Sequence, residues 1–145
     1  MKRHGILLIA AIITLAFTTS SWAASSTCPQ PRKTKSAPSG IASKDMTAKA
    51  SAENGKKIYS KTAKPMACKM CHGDKGDGMG KLGKALKPNP RNFTCSDTMK
   101  NVSAGQMFWV IKNGSPGTGM VAHGKTLKDK EIWDVVKYIR ESWVK

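Results

Sequence analysis

Apolar positions recur at helical spacing in three stretches of the chain. Ser51 is a good cap residue, Glu53 suits a first turn, and Gly55, Ile58 and Tyr59 then share a face. Pro65 disfavours helix at Lys64, so the first helix is expected to end near Ala63. Ser103 and Gln106 have capping-box spacing ahead of Met107, Val110 and Ile111, and Gly114 stands where a helix would stop. From 127 to 144, Ile132, Val135, Val136, Ile139 and Trp143 form one apolar stripe. Between the helices Gly73, Gly76, Gly78, Gly80 and Gly83 rule out long regular structure, and Pro88 and Pro90 make 87–93 an extended loop. The pattern predicts an all-α domain over 51–145 whose three main helices, joined by glycine- and proline-rich loops, bury too little side-chain surface to form a dense core.

Composition changes the picture at the amino-terminal end of this 145-residue sequence. Lys2, Arg3 and His4 precede an uncharged apolar run, and Ser21-Trp22-Ala23 offers small residues where a signal peptidase reads, so 1–23 is expected to be a signal peptide. An uncleaved anchor is the rival, but the strongly apolar part falls short of the roughly 20 residues that a spanning helix needs. Residues 24–50, with Pro29, Pro31, Pro38 and Gly40 and no sustained apolar period, are expected to form a flexible basic arm. The formal charge is +16. Such a balance suits acidic partners, while an exported protein does not meet nucleic acid and no basic amphipathic helix points to a membrane surface. Cys28 lacks the small and leucine residues that precede a lipidated cysteine; in an oxidising compartment it and Cys95 either form a disulfide or remain free thiols.

Cys68-Lys69-Met70-Cys71-His72 carries the chemistry. Two thiols separated by two residues can add across the vinyl groups of a porphyrin, and the histidine that follows then stands as proximal ligand to the iron. A thioredoxin-like site would need a βαβ setting that is not evident here. A zinc site would need two more ligands from Cys28, Cys95 and His123, which do not make the usual second close pair. Covalent haem attachment is therefore the expectation, and a flat apolar cofactor would provide the core that the side chains lack.

In order along the chain, Gly55 to Tyr59, the motif with its Gly73 to Gly78 loop, Lys112 to Gly114 with Gly117 to Met120, and 127–140 with Ile132-Trp133 and Tyr138-Ile139 resemble class I cytochrome c over residues 51–145. The resemblance implies the cytochrome c fold around one covalently bound haem c. It implies Cys68 and Cys71 as attachment points, His72 as proximal ligand and Met120 as distal ligand. A thioether favours ferrous iron, and filling both axial positions leaves no open site for a substrate. Two positions depart from the family pattern. Val121 replaces the usual proline after the ligand methionine, and Gly83-Lys84 stands where a Gly-Pro carbonyl commonly orients the proximal imidazole. His123 is expected to be an exposed loop residue, with replacement of Met120 as the alternative.

The resulting expectation is a periplasmic one-electron carrier, not an enzyme, monomeric or a subunit of a complex, with no stable membrane span once the signal is removed. Its partners would be a reductase or oxidase with acidic docking patches, steered by lysines such as Lys69, Lys75, Lys81 and Lys84. The alternatives are a cytochrome subunit tethered by the arm, or a haem enzyme or sensor with a displaceable distal ligand.

Overall fold

The computed structural model describes residues 27–31 and 34–145. The expected signal peptide, 1–23, lies outside the described residues. Among them are six α-helices and no strand: α1 Ser39–Ala42, α2 Ala52–Lys57, α3 Lys69–His72, α4 Ser96–Met99, α5 Ala104–Asn113 and α6 Asp129–Trp143. Single 3₁₀ turns occupy Thr47–Lys49 and Gly83–Ala85. The three stretches with helical periodicity are α2, α5 and α6; the other helices are single turns that no window of apolar spacing announces.

Helix α2 starts where Ser51 Oγ accepts from Asn54 N at 3.2 Å and continues as a π turn over Ile58–Thr62. It stops at Ala63, whose backbone is extended, two residues before Pro65 as the proline predicts. Ile58 and Tyr59 are buried by this turn. Helix α6 begins at Asp129, two residues later than the periodicity indicates, because the Lys128 N–H donates to Glu131 Oε2 at 2.8 Å and closes the first turn there. Its inward face carries Ile132, Trp133, Val135, Val136 and Ile139.

Helices α2 and α6 cross closely at Gly55, where a Cβ would overlap the Asp134 carbonyl. Only glycine lets two helix backbones approach this far. The crossing is reinforced by Asp134, whose carboxylate accepts from Ser51 N at 2.7 Å and from Asn54 Nδ2 at 2.8 Å. One turn on, the Tyr59 ring meets Tyr138 and Trp143 at 5.4 and 5.3 Å between centroids. Helix α5 also packs on α6, with Phe108 stacked on Trp133 at 4.5 Å.

The described part of the expected arm lies against the domain. Cys28 and Cys95 form a disulfide. Ser103 Oγ donates to the Ala42 carbonyl at 2.6 Å, and the Gln106 amide accepts from Ala37 N at 2.7 Å and donates to the Lys35 carbonyl at 3.0 Å. The last two bonds correct the capping box expected at Ser103. Its hydroxyl does accept from Gln106 N, but the glutamine side chain is recruited by the backbone of 35–37 instead of turning back to Ser103. No helix among the described residues is long and apolar enough to cross a membrane.

Candidate functional site

The Cys68 to His72 stretch is one helical turn. Cys68 is the N-cap of α3, His72 N donates to the Cys68 carbonyl at 2.9 Å, and Gly73 closes the turn by donating to the Lys69 carbonyl at 2.8 Å. At this spacing the two cysteines share a helix side. Both are free thiols, and both line a cavity of about 380 Å³ together with His72, Met120 and His123. Core side chains complete the walls: Met99, Met107, Ile111, Val135 and Ile139 face the same space. So the four residues expected at the site, Cys68, Cys71, His72 and Met120, come together on one cavity although 48 positions separate His72 from Met120 in the chain.

Burial pushes the Cys68 thiol up to about 11 and raises Cys71 as well. A redox-active dithiol needs the opposite shift, because its nucleophile is the thiolate. The disulfide between Cys28 and Cys95 likewise takes two of the three candidate extra ligands away from a zinc site.

His72 is 9% exposed and stacks on Phe93 with centroids 4.7 Å apart. Its Nδ1 lies 3.1 Å from the Arg91 carbonyl oxygen. A carbonyl only accepts, so Nδ1 carries the proton and Nε2 keeps its lone pair. Burial holds the imidazole well below its usual range, at about 4, which preserves it as a neutral base. Arg91 is the backbone acceptor that sequence alone does not identify. Gly83 has a different task, packing so tightly on the motif that a Cβ would overlap the Cys71 carbonyl. The orienting carbonyl comes from the 87–93 loop, and Phe93 N anchors that loop to the Gly76 carbonyl at 2.7 Å.

The Met120 loop, which also lines the cavity, is laced by its own polar groups. Ser115 N donates to the Met120 carbonyl at 3.0 Å, and Met120 N donates to Thr118 Oγ1 at 3.0 Å. These bonds hold the loop in the absence of a proline at position 121, where Val121 is exposed. His123 departs from expectation: it is buried, 4% exposed. Its backbone N–H donates to the Ile111 carbonyl at 3.0 Å and its Nδ1 lies 2.9 Å from the Lys64 carbonyl, which draws the ring inward.

The amino-terminal segment also reaches the site. Thr27, Gln30, Pro31 and Thr34 line the cavity. Nothing in their local sequence marks them, since neither periodicity nor a ligand-type residue is present.

A sequence model of the cytochrome c family, described as "Cytochrome c", matches residues 52–143. The chain belongs to the cytochrome c family. Membership implies covalently bound haem c and haem-based electron transfer, and the cavity fits that group: its size is that of a cofactor site, its walls are mostly apolar, and two neutral thiols and a neutral imidazole border it. No curated protein matches this cytochrome significantly. Among solved structures, a chain of the reducing HAO-like protein complex of Kuenenia stuttgartiensis is similar, with 26% identity and a TM-score of 0.54. The match covers 63% of this chain and 43% of that one, so the cytochrome spans less than half of its structural neighbour.

Proposed function

We propose that this protein is a periplasmic one-electron carrier with a single haem c held by Cys68 and Cys71 as thioethers, by His72 Nε2 and by the Met120 thioether. The observation that carries this reading is the convergence of these four residues on one mostly apolar cavity. When bound, the haem would supply an iron that alternates between ferric and ferrous states. The residues around it bind, orient and exclude water. His72 is kept neutral by burial and fixed in one tautomer by Arg91. Met120 is held by Ser115 and Thr118, so that a soft neutral ligand favours the reduced state. Met107, Ile111, Val135 and Ile139 keep the surroundings dry, which reduces solvent reorganisation as charge changes. Among the described residues no lysine borders the cavity. Lysines 69, 75, 81 and 84 would therefore act from the surface, steering acidic partners rather than touching the cofactor.

A second reading, a subunit of a larger redox assembly, is favoured by the likeness to a chain of a multi-protein complex. In that case the segment fastened by Cys28 is part of the fitted body, not only a tether.

An optical redox titration of the purified protein beside Met120→Ala tests the carrier reading. The wild type should titrate as one reversible low-spin centre and, when reduced, bind carbon monoxide slowly. Met120→Ala should titrate at a lower potential and bind carbon monoxide at once. Equally fast binding by both proteins would overturn the assignment of Met120 and favour a haem enzyme or sensor.

A further inference from the structure

The segment before the family-matched region makes a contact with the site that the cytochrome c core by itself does not require. Gln30 is fastened twice: its neighbour but one, Cys28, is bonded to Cys95, and its own N–H donates to Thr98 Oγ1, within α4, at 3.1 Å. From there its primary amide pairs with the backbone of the 87–93 loop as a peptide group would. Nε2 donates to the Pro90 carbonyl at 2.9 Å, and Oε1 accepts from Asn92 N at 2.9 Å. The residue between these two points is Arg91, whose carbonyl accepts the His72 Nδ1 proton. The Arg91 guanidinium also approaches the same Oε1, at 3.4 Å.

We infer that Gln30 is a positioning residue for the proximal ligand: clamped by the Cys28–Cys95 disulfide, its side-chain amide sets the direction of the Arg91 carbonyl, and through it the electron-donating strength of His72. The geometry makes this specific. Asn92 N–H belongs to the same planar peptide group as the Arg91 carbonyl, so that carbonyl cannot rotate away from the imidazole without breaking the bond from Asn92 N to Gln30, while the bond to the Pro90 carbonyl fixes the preceding peptide group. A firm Nδ1–H···O=C bond makes Nε2 a stronger donor, which favours the ferric state. Loosening it weakens the donor and raises the reduction potential. The disulfide keeps the amino-terminal segment that carries Gln30 from drifting off.

The inference rests on His72 being the proximal ligand, and its test separates the two. Holoprotein is prepared as wild type, Gln30→Ala, Cys28→Ser with Cys95→Ser, all three substitutions together, and Ser103→Ala. The last removes another bond between the amino-terminal segment and the domain, to Ala42, and leaves the loop of Arg91 alone. Each is measured by potentiometric titration and by proton NMR of the hyperfine-shifted imidazole resonances. Gln30→Ala should raise the potential and shift the His72 Nδ1–H resonance with faster solvent exchange of that proton. The cysteine pair should move both in the same direction, and the combined variant should move them by less than the sum, because both changes act through one carbonyl. Ser103→Ala should lose thermal stability with the potential unmoved. A His72 resonance present and unchanged in Gln30→Ala, with an unchanged potential, would overturn the positioning role while leaving His72 as ligand. A shift in Ser103→Ala as large as in Gln30→Ala would also overturn it, as a general effect of loosening. Absence of the imidazole resonance from the wild type would remove the ligand assignment and the inference with it.

Discussion

The carboxylate of Asp134, in the middle of α6, accepts a 2.7 Å hydrogen bond from the backbone N–H of Ser51, 83 residues earlier, and so fixes the start of α2 against the closing helix. Burial alone would raise this acid, but the bonds from Ser51, Asn54 and Lys130 outweigh it and the net shift is downwards. Its folded value therefore lies below the unfolded value of about 3.9. The stability it contributes is fully present above that unfolded value and is lost as pH falls through the folded one. Asp134→Asn should flatten the acid limb of a stability profile below about pH 4, and Asp134→Ala should cost about 2–3 kcal/mol at neutral pH by leaving two donors unpaired, measurable by denaturant unfolding of the holoprotein.

Gly55→Ala tests the same crossing by sterics. A Cβ there would overlap the Asp134 carbonyl, and two helix backbones would have to separate. The expected loss is about 1–3 kcal/mol or more, with the optical spectrum of the bound haem retained because the change lies away from the cavity. At an exposed helical position the same change would gain about 0.5–1 kcal/mol, so unchanged or increased stability would contradict the close approach.

Attachment is tested by replacing each thiol. With Cys68→Ser or Cys71→Ser one thioether should remain and the haem should still travel with the polypeptide on a denaturing gel, with a shifted absorption band. With both replaced, it should separate from the chain.

Removal of the cofactor should expose the inward faces of Met99, Met107, Ile111, Val135 and Ile139 together, since all border one cavity. A ligand that binds only the native state contributes its binding energy to folding. Far-ultraviolet circular dichroism of haem-free protein should show most helicity lost; native helicity would mean that α2, α5 and α6 form a sufficient core alone.

If surface lysines steer acidic partners, electron-transfer rates should fall severalfold or more between low salt and about 0.15 M, where screening acts over roughly 8 Å. A rate insensitive to ionic strength would remove steering from the account.

Much of the architecture was legible in one dimension because its causes are local. Periodicity locates α2, α5 and α6, and Pro65 stops the first of them. The single turns α1, α3 and α4 were not legible, because four residues are too few to carry a period. Gln106 looks like a capping residue by spacing, yet its amide serves Ala37 and Lys35, a choice that depends on a strand of chain some 70 positions away. His123 looks like a loop histidine and is buried because Lys64 offers it a carbonyl.

By itself the sequence determined which groups this protein has for its chemistry: a thiol pair with a histidine directly after it, a methionine in a later glycine-rich loop, and three amphipathic helices to enclose them. Those properties follow from covalent order and short-range spacing. Only the tertiary structure decided that Arg91 supplies the carbonyl behind His72, that Gln30 brackets it, and that the amino-terminal segment lines the cavity. A backbone carbonyl is identical at every position, so sequence cannot mark the one that folding brings to an imidazole.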